Sequence, residues 1–346
     1  FLRVEWNSIH GDRMLIDVSR PAQTVGSNKA CPVCGGELCL SERPYTVEDL
    51  FKLWDPIHFS ESTIEQHRRQ APATAKHSCV NCKLDIFLPQ IIGTPEFYDE
   101  AYNLKNSQEQ SRFTYSDTKW DFEVALQDVR GSESVMEVGC GPGNFLSLVK
   151  PVVTKTVGIE FNETAAELAR NKGLTVEVSG RDFDATKFIA QFDCVFSFHV
   201  LEHVADPLKF LEDLCSFVKP GGKIGLSVPN QDGPIDYIRP CVMNMPPHHA
   251  TRWRLRTFET AAEKLGLKIK RVAYEPLLLD NYSYYSYYWL SYRFPGTTAM
   301  RRVLRKAVSL SLQGVFGGLR LIGLRHLYGL RGQSIYILFG KPHLSS

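Results

Sequence analysis

The sequence has few cysteines, no long apolar run and, after Asp280, no acidic residue. Nine cysteines in 346 residues are too few for a disulfide scaffold and favour a reducing, cytoplasmic compartment. The longest weakly polar stretch, 307–324, is interrupted by Gln313, Arg320 and several glycines, so it does not predict a membrane span. No signal peptide is expected in the first 20 residues. The content of 43% hydrophobic and 23% charged residues predicts a globular fold instead of disorder or a coiled coil.

Charge is distributed unevenly along the chain. Residues 1–280 hold all 38 acidic residues and 31 of the 40 basic ones, whereas 281–346 hold the other nine basic residues. Six tyrosines lie in 281–292, and a basic run at 301–306 precedes an apolar, glycine-containing stretch. This order is typical of an interfacial helix, so 296–332 is expected to contact a membrane or a lipid carrier. A subunit interface or a lid over the active site fits the same pattern, and the oligomeric state stays open.

Between residues 96 and 280, short β-rich segments alternate with helical patterns, which predicts a parallel α/β sheet. The predicted strands are 134–138, 156–160, 175–179, 193–198, 223–228, 268–274 and, last, 334–340. The predicted helices are 163–172, 207–218 and 257–265, the last with Thr257 as its N-cap. We therefore predict an N-terminal region 1–95 with a cysteine module at 31–82, and an α/β domain 96–346 whose last strand follows an aromatic and basic insertion at 276–333.

A glycine-rich turn follows the first strand of that domain. Gly139, Gly141 and Gly143 precede a helical segment, where glycine permits positive φ and lets a ligand approach the backbone. The next strand ends at Glu160, whose carboxylate can accept the two hydroxyls of a ribose. The pattern predicts a nucleotide-type cofactor, and a generic dinucleotide site is an alternative at this point.

Four stretches identify a family resemblance over about residues 96–275 and the final strand. EVGCGPGNF, TVGIE, FDCVFSFHVLEHVADPLKFLEDL and VKPGGKIGLSVPN resemble, in order and spacing, class I S-adenosylmethionine-dependent methyltransferases of the ubiquinone-biosynthesis-like type. The resemblance implies a Rossmann-like seven-stranded sheet and S-adenosylmethionine as the cofactor. It implies that Glu160 binds the ribose and Phe161 the adenine, and that the acid after the third strand is Asp182 or Asp184. The cofactor-binding residues that it implies are Glu137, Gly139, Cys140, Gly141, Gly143, Glu160, Phe161, Asp182, Phe183 and His199.

A cluster of candidate catalytic residues follows the fourth strand, at the edge where open α/β sheets bind ligands. It contains His199, Glu202 and His203, and the pair His248 and His249 lies between the fifth strand and the last predicted helix. Methyl transfer to a hydroxyl needs a positioned nucleophile and a base, and His203 is the predicted base. A divalent metal held by these side chains is one alternative, since the cluster resembles that of some small-RNA and quinone methyltransferases. A structural role for His203, as a helix cap or a backbone partner, is another.

Two Cys-x-x-Cys pairs lie in the N-terminal region, Cys31 with Cys34 and Cys79 with Cys82. Each pair can present two thiolates to one tetrahedral ion, so a structural Zn²⁺ is predicted, with four ordinary reduced cysteines as the alternative. The module resembles the cysteine knuckles of bacterial methyltransferases that act on glycans, deoxysugars and natural products. Residues 31–95 are not notably basic, so nucleic acid is not the expected partner.

The sequence therefore predicts a methyltransferase that modifies a hydroxyl of a saccharide or a related biosynthetic intermediate. Carbon methylation of a keto-sugar is the nearest alternative. A zinc-containing RNA methyltransferase or RNA-binding protein is the alternative from another class. The sequence does not identify the acceptor, because the segments expected to build its pocket, 231–256 and 276–333, carry the least family pattern.

Overall fold

The structure, a computed structural model, describes residues 4–7, 13–16, 30–55, 57–102, 119–179, 183–238, 241–278 and 326–343, with single positions between 285 and 318. The helices and strands fall into an N-terminal module and a larger α/β domain. In chain order they are β1 (Val4–Asn7), β2 (Arg13–Ile16), β3 (Leu38–Leu40), β4 (Tyr45–Thr46), α1 (Val47–Lys52), α2 (Glu61–Gln70), β5 (Ala73–Cys79), β6 (Asp85–Leu88), α3 (Pro95–Tyr102), α4 (Trp120–Val129), β7 (Ser134–Val138), α5 (Asn144–Val149), β8 (Lys155–Glu160), α6 (Glu163–Asn171), β9 (Val176–Val178), β10 (Phe192–Phe198), α7 (Pro207–Phe217), β11 (Val218–Pro229), β12 (Thr251–Arg252), α8 (Leu255–Leu265), β13 (Lys268–Leu278) and β14 (His326–Gly340).

The large domain is built on a seven-stranded sheet in the order β13-β14-β11-β10-β7-β8-β9. The five strands from β11 to β9 are parallel, and β14 runs antiparallel to both β11 and β13. Every residue of β7 is buried, as expected for a central strand covered on both faces by helices. The carboxyl ends of β7, β8, β10 and β11 therefore meet at one edge of the sheet.

The N-terminal module contains an antiparallel sheet of β12, β6, β5 and β3, with β4 paired to β5. Helix α1 begins with a capping box in which the side chains of Thr46 and Asp49 bond each other's backbone N–H. Leu50 and Phe51 of this helix pack with Trp54 and Phe97 into a separate hydrophobic core. The module thus has its own core beside that of the large domain.

Strand β12 joins the module to the large domain, because it follows β11 in the chain but pairs with β6. Thr251 lies opposite Ile86 in this pairing. Thr257 on α8 donates a hydrogen bond of 2.9 Å from Oγ1 to the carbonyl oxygen of Cys82. The cysteine module is therefore tied to the segment that precedes α8.

The predicted seven-stranded sheet is confirmed, and each predicted strand corresponds to an observed one. The N-cap prediction for Thr257 is wrong: α8 begins at Leu255 after Arg254, and the Thr257 side chain is used instead to bond the cysteine module. Strands β13 and β14 extend into both ends of the predicted insertion, to Leu278 and from His326.

Most of the predicted insertion lies outside the described residues. Within the part of the chain that is described, no helix combines the length and the apolar character needed to cross a membrane.

Candidate active site and metal centres

The glycine-rich turn begins where β7 ends and leads into α5. Gly139, Gly141 and Gly143 have positive φ angles of 77°, 53° and 75°. A Cβ atom at Gly139 would lie 2.3 Å from Val200 Cγ2, and one at Gly143 would lie 2.2 Å from Leu174 Cδ1. At Gly139 and Gly143 the side chains of Val200 and Leu174 already fill the space that a Cβ atom would take, so only glycine allows the turn to pack this closely.

Glu160 is the last residue of β8, the strand next to β7, and its side chain binds the backbone of this turn. It is 4% exposed and accepts hydrogen bonds from the backbone N–H groups of Gly141, Phe161 and Asn162 at 2.7–2.9 Å. Burial raises the pKa of Glu160, and the three N–H groups oppose that shift. A carboxylate has about four acceptor positions, so the side chain keeps capacity for hydroxyl donors such as those of a ribose.

Two further residues of the predicted cofactor site, Glu137 and Cys140, are buried around the same turn. Glu137 on β7 has no hydrogen-bond partner for Oε2 among the described residues, and burial raises its pKa well above the ordinary range. The Cys140 thiol points into the core below the turn, where it packs against Gly158. Cys140 can therefore offer a ligand its backbone, whereas Glu137 offers a carboxyl group.

The aromatic and acidic residues implied for the cofactor differ in their surroundings. Phe161 is partly exposed and packs edge-on against Tyr98, with ring centroids 5.7 Å apart. Phe183 is buried and stacks on a neighbouring phenylalanine. Asp182 lies outside the described residues. Asp184, the other candidate, is exposed and caps the short 3₁₀ helix that follows it.

His199 lies between two buried carboxylates just after β10. Its Nε2 is 3.2 Å from Asp121 Oδ2, and its Nδ1 is 3.3 Å from Glu202 Oε1. Burial alone would lower the pKa of His199, but the two carboxylates raise it to about 9. The two carboxylates therefore lie at ion-pair distance from the two ring nitrogens and favour the imidazolium form of His199.

His203 is held in one tautomer by its neighbours. Its Nδ1 is 2.5 Å from the carbonyl oxygen of His248 and 2.9 Å from the hydroxyl of Tyr98. A carbonyl oxygen only accepts, so Nδ1 carries the hydrogen and Nε2 carries the lone pair. Burial lowers the pKa of His203. The ring is therefore neutral at neutral pH, as a general base must be.

His248 and His249 lie in the loop after β11, stacked on each other with ring centroids 4.4 Å apart. Their Nδ1 atoms are each 3.2 Å from an oxygen acceptor, the Met243 carbonyl and Asn244 Oδ1 respectively. Burial lowers the pKa of both rings well below the ordinary range. Both histidines are therefore neutral, with the lone pair on Nε2.

Glu202 lies among these histidines and is 1% exposed. Its Oε1 is 4.0 Å from His203 Nε2 and 3.9 Å from His249 Nε2. Its Oε2 has no hydrogen-bond partner among the described residues. The structure thus brings all five predicted catalytic residues together at one edge of the sheet.

The four cysteines of the two Cys-x-x-Cys pairs also converge. The Sγ atoms of Cys31 and Cys82 are 3.5 Å apart, those of Cys34 and Cys79 are 3.3 Å apart, and all four lie within 4.8 Å of one another. The two turns match, because Gly35 N donates to Cys31 O and Lys83 N donates to Cys79 O. Four thiolates that converge in this way can bind one tetrahedral Zn²⁺.

Sequence reasoning missed three residues that organise the site: Tyr98, Asp121 and Asn244. Tyr98 lies in the aromatic and acidic sequence 97–102 on α3, which was its one signal. Asp121 precedes the glycine turn on α4, and Asn244 lies in the loop before His248. Nothing in the sequence context of Asp121 and Asn244 distinguishes them from ordinary polar residues, because their roles depend on contacts between distant segments.

Comparisons with known proteins find similar sequences and folds. A family model described as a methyltransferase domain matches residues 104–272. The ubiquinone biosynthesis O-methyltransferase of Coxiella burnetii (strain Dugway 5J108-111) is 28% identical over 103 residues, which are 28% of this chain and 44% of that protein. A 37.1 kDa protein in transposon TN4556 of Streptomyces fradiae is 32% identical over 118 residues, 32% of this chain and 34% of that protein. The chain thus spans less than half the length of these relatives.

A solved SAM-dependent methyltransferase from Archaeoglobus fulgidus is also similar, with a TM-score of 0.40 and 18% identity over 64% of this chain and 94% of that one. The strand order and the family match identify the fold as the α/β, Rossmann-like fold of class I methyltransferases.

Proposed function

We propose that this protein uses its class I methyltransferase domain to transfer a methyl group from S-adenosylmethionine to a hydroxyl of a small-molecule acceptor. The acceptor class that we propose is a saccharide or a related biosynthetic intermediate. The observation that carries the proposal is the juxtaposition of the glycine turn and Glu160 with neutral histidines at the same sheet edge. The residues proposed to bind the donor and to remove the proton thus follow the neighbouring strands β7 and β10.

The donor site consists of the turn after β7 and the end of β8. Glu160 has the position and acceptor capacity to bind the ribose hydroxyls, and Phe161 offers a ring face to the adenine. Gly139, Gly141 and Gly143 allow the positive φ angles of the turn, and Glu137 presents a buried carboxyl group near them. Bound S-adenosylmethionine would supply an electrophilic methyl group on sulfur, so the remaining task of the chain is to position the acceptor oxygen in line with it.

The acceptor side consists of the histidine cluster. His203 Nε2 has the lone pair and the partly exposed position that a general base for a hydroxyl requires. His199 and Asp121 act as positioning residues through Glu202. A metal is an alternative to direct proton transfer to His203. The lone pairs on Nε2 of the same histidines could bind it, and it would lower the pKa of the acceptor hydroxyl.

Two other reactions fit parts of the same site. Carbon methylation of a keto-sugar would use the same base to remove a proton next to a carbonyl. An RNA substrate would fit a cysteine module, but the region 31–95 lacks the basic character of an RNA-binding surface. The hydroxyl acceptor remains our proposal because it needs no group beyond those described.

We further propose a structural Zn²⁺ on Cys31, Cys34, Cys79 and Cys82, supported by the convergence of their sulfur atoms. A cytoplasmic location is supported by the cysteine usage alone. Contact of 296–332 with an anionic membrane or a lipid carrier is supported by its sequence pattern.

The donor site is tested by Glu160→Gln, with the exposed Glu163→Gln on α6 as the matched control. Loss of the charged acceptor is expected to weaken binding of S-adenosylhomocysteine about 10- to 100-fold by calorimetry. The control should bind like the unmodified protein. Transfer of labelled methyl groups to nucleotide sugars, glycans and RNA then identifies the acceptor class. Unchanged binding by Glu160→Gln would contradict the proposed donor site.

A further inference from the structure

Arg252 is a buried cation where β12 meets the N-terminal module. Its side chain is 4% exposed, and its guanidinium lies over the ring of Phe87 on β6, with Cζ 5.0 Å from the ring centroid. Burial lowers the pKa of Arg252, and nearby carboxylates, that of Glu42 first among them, oppose the shift. Because arginine stays charged at neutral pH, the fold has to supply partners for the buried guanidinium.

The guanidinium binds one backbone carbonyl in the segment 241–249, which carries His248 and His249. Nε and Nη2 donate to the carbonyl oxygen of Asn244 at 2.9 and 2.6 Å. Nη2 also lies 3.1 Å from the sulfur atom of Met245. A lysine ammonium has no such rigid, planar pair of donors. The contact therefore depends on the shape of the arginine side chain as well as on its charge.

Charged residues of the N-terminal module lie on the other side of the guanidinium. Nη1 is 4.0 Å from Oε1 of Glu42, which follows β3 in the chain. Lys76, a buried residue of β5, forms an ion pair with the same carboxylate. Glu42 thus lies between a cation of the module and the cation of β12. Since salt screens buried ion pairs only weakly, these charges give Arg252 a defined position against the module.

Asn244 connects this contact to the histidines. Its Oδ1 is 3.2 Å from His249 Nδ1, and His249 N donates to the carbonyl oxygen of Met245 at 3.0 Å. The carbonyl oxygen of His248, in the same segment, accepts from His203 Nδ1. The orientation of the proposed base therefore depends on a segment that Arg252 attaches to the N-terminal module.

We propose that Arg252 is a positioning residue for the acceptor half of the active site. It holds the segment 241–249 against the N-terminal module, so that the His248 carbonyl keeps His203 in the orientation that proton removal requires. The effect on turnover rests on the proposed function, whereas the attachment of the segment does not. A displacement of about 1 Å at a reacting group can cost about 10²-fold in rate, so a buried residue that does not touch the acceptor can control turnover.

The proposal is tested in the zinc-loaded full chain with two substitutions of Arg252. Arg252→Met removes the charge and the hydrogen bonds, and Arg252→Lys keeps the charge alone; Arg256→Met, at an exposed position of α8, is the matched control. On the acceptor that labelled methyl transfer identifies, Arg252→Met should lower kcat about 10- to 100-fold, and Arg252→Lys should lower it less. The affinity for S-adenosylhomocysteine, measured by calorimetry, should stay unchanged in all three variants.

Hydrogen exchange measured by mass spectrometry gives a readout that needs no acceptor. Loss of the charged hydrogen bonds in Arg252→Met should speed amide exchange in the peptide 241–249 by at least about 10-fold. Exchange in the glycine turn and α5, residues 139–149, and the zinc content should not change. Such a pattern would separate a local effect on the segment from a general loss of stability.

Unchanged exchange in the segment 241–249 in both Arg252 variants would overturn the proposal. Faster exchange with unchanged kcat would refute the effect on turnover. Equal losses of S-adenosylhomocysteine binding and of kcat would also overturn it, because they indicate general unfolding. If the unmodified protein binds the donor but methylates no acceptor, the proposed function fails, and the exchange data still decide whether Arg252 holds the segment.

Discussion

Asp213 is a buried acid on α7, the helix that follows Glu202 and His203 in the chain. Lys209 Nζ donates to its Oδ1 at 2.6 Å, and Oδ2 has no partner among the described residues. Burial raises the pKa of Asp213 to about 6, although Lys209 opposes the shift. The folded state therefore binds the proton more tightly than the unfolded state. This stabilisation is complete below about pH 4 and is lost as the pH rises through about 6.

Asp213→Asn should remove that pH dependence, because the amide resembles the protonated acid and can keep an acceptor for Lys209. At pH 8 we expect the free energy of unfolding to rise by about 3 kcal/mol, and by about half as much at pH 5. Urea denaturation at the two pH values measures the difference. Glu212→Gln, its exposed neighbour, is the control and should change neither value. A variant less stable than the unmodified protein at pH 8 would contradict the prediction.

At the scale of single residues, the sequence predicts which residues belong to the candidate site better than it predicts what each of them does there. Gly139, Gly143 and Glu160 lie as their spacing implies, because short segments determine a turn between a strand and a helix. His199 could not be distinguished from His203 in sequence. The pKa of His199 depends on Asp121, which contacts it from helix α4. Protonation states of this kind depend on tertiary contacts, and local sequence does not contain them.

At the scale of helices and strands, the α/β alternation was predictable and the junction between modules was not. Hydrophobic periodicity determines where strands of the large sheet occur, and the family spacing supplies their order. The two residues of β12 carry no such pattern, since a two-residue strand has no periodicity. Their pairing with β6 nevertheless places the cysteine module against the loop that carries His248 and His249.

This junction predicts that the cysteine module acts on the acceptor side alone. Phe87 N donates to Ala250 O at 3.1 Å, one residue after His249, and Thr257 bonds the carbonyl of Cys82. Cys82→Ser is expected to lose one equivalent of zinc and, through a displaced loop, to reduce methyl transfer by up to about 10²-fold. Its affinity for S-adenosylhomocysteine should stay unchanged, because the glycine turn has no contact with β6 among those described.

The exposed Cys39→Ser is the matched control for Cys82→Ser. Elemental analysis, calorimetry and labelled methyl transfer on the same samples separate the three quantities. Full zinc content and full activity in Cys82→Ser would exclude both the zinc site and its link to the loop. Equal loss of donor binding and activity would indicate general unfolding instead of a displaced loop.

At the scale of the whole molecule, the structure shows where the basic C-terminal segment connects to the large sheet. Leu278 of β13 pairs with His326 of β14, so the two ends of the intervening segment lie side by side. Tyr285 packs on Ile238 and Leu277, near the loop that leads to the histidines. The segment between 278 and 326 therefore begins and ends at the same edge of the large sheet.

The charge pattern of the basic run at 301–306 predicts that it binds anionic lipid. Each Lys or Arg near an anionic surface contributes about 1 kcal/mol, so replacing Arg301, Arg302, Arg305 and Lys306 by Gln should weaken vesicle binding by roughly 10²- to 10³-fold. Co-sedimentation with phosphatidylserine vesicles measures it. A control replaces four exposed basic residues elsewhere with Gln: Lys52, Arg130, Lys264 and Lys268. Since both variants lose the same net charge, equal weakening would show that overall charge, and not this segment, attracts the lipid. No binding by the unmodified protein would exclude a lipid surface and leave the segment as a subunit contact or a cover for the acceptor.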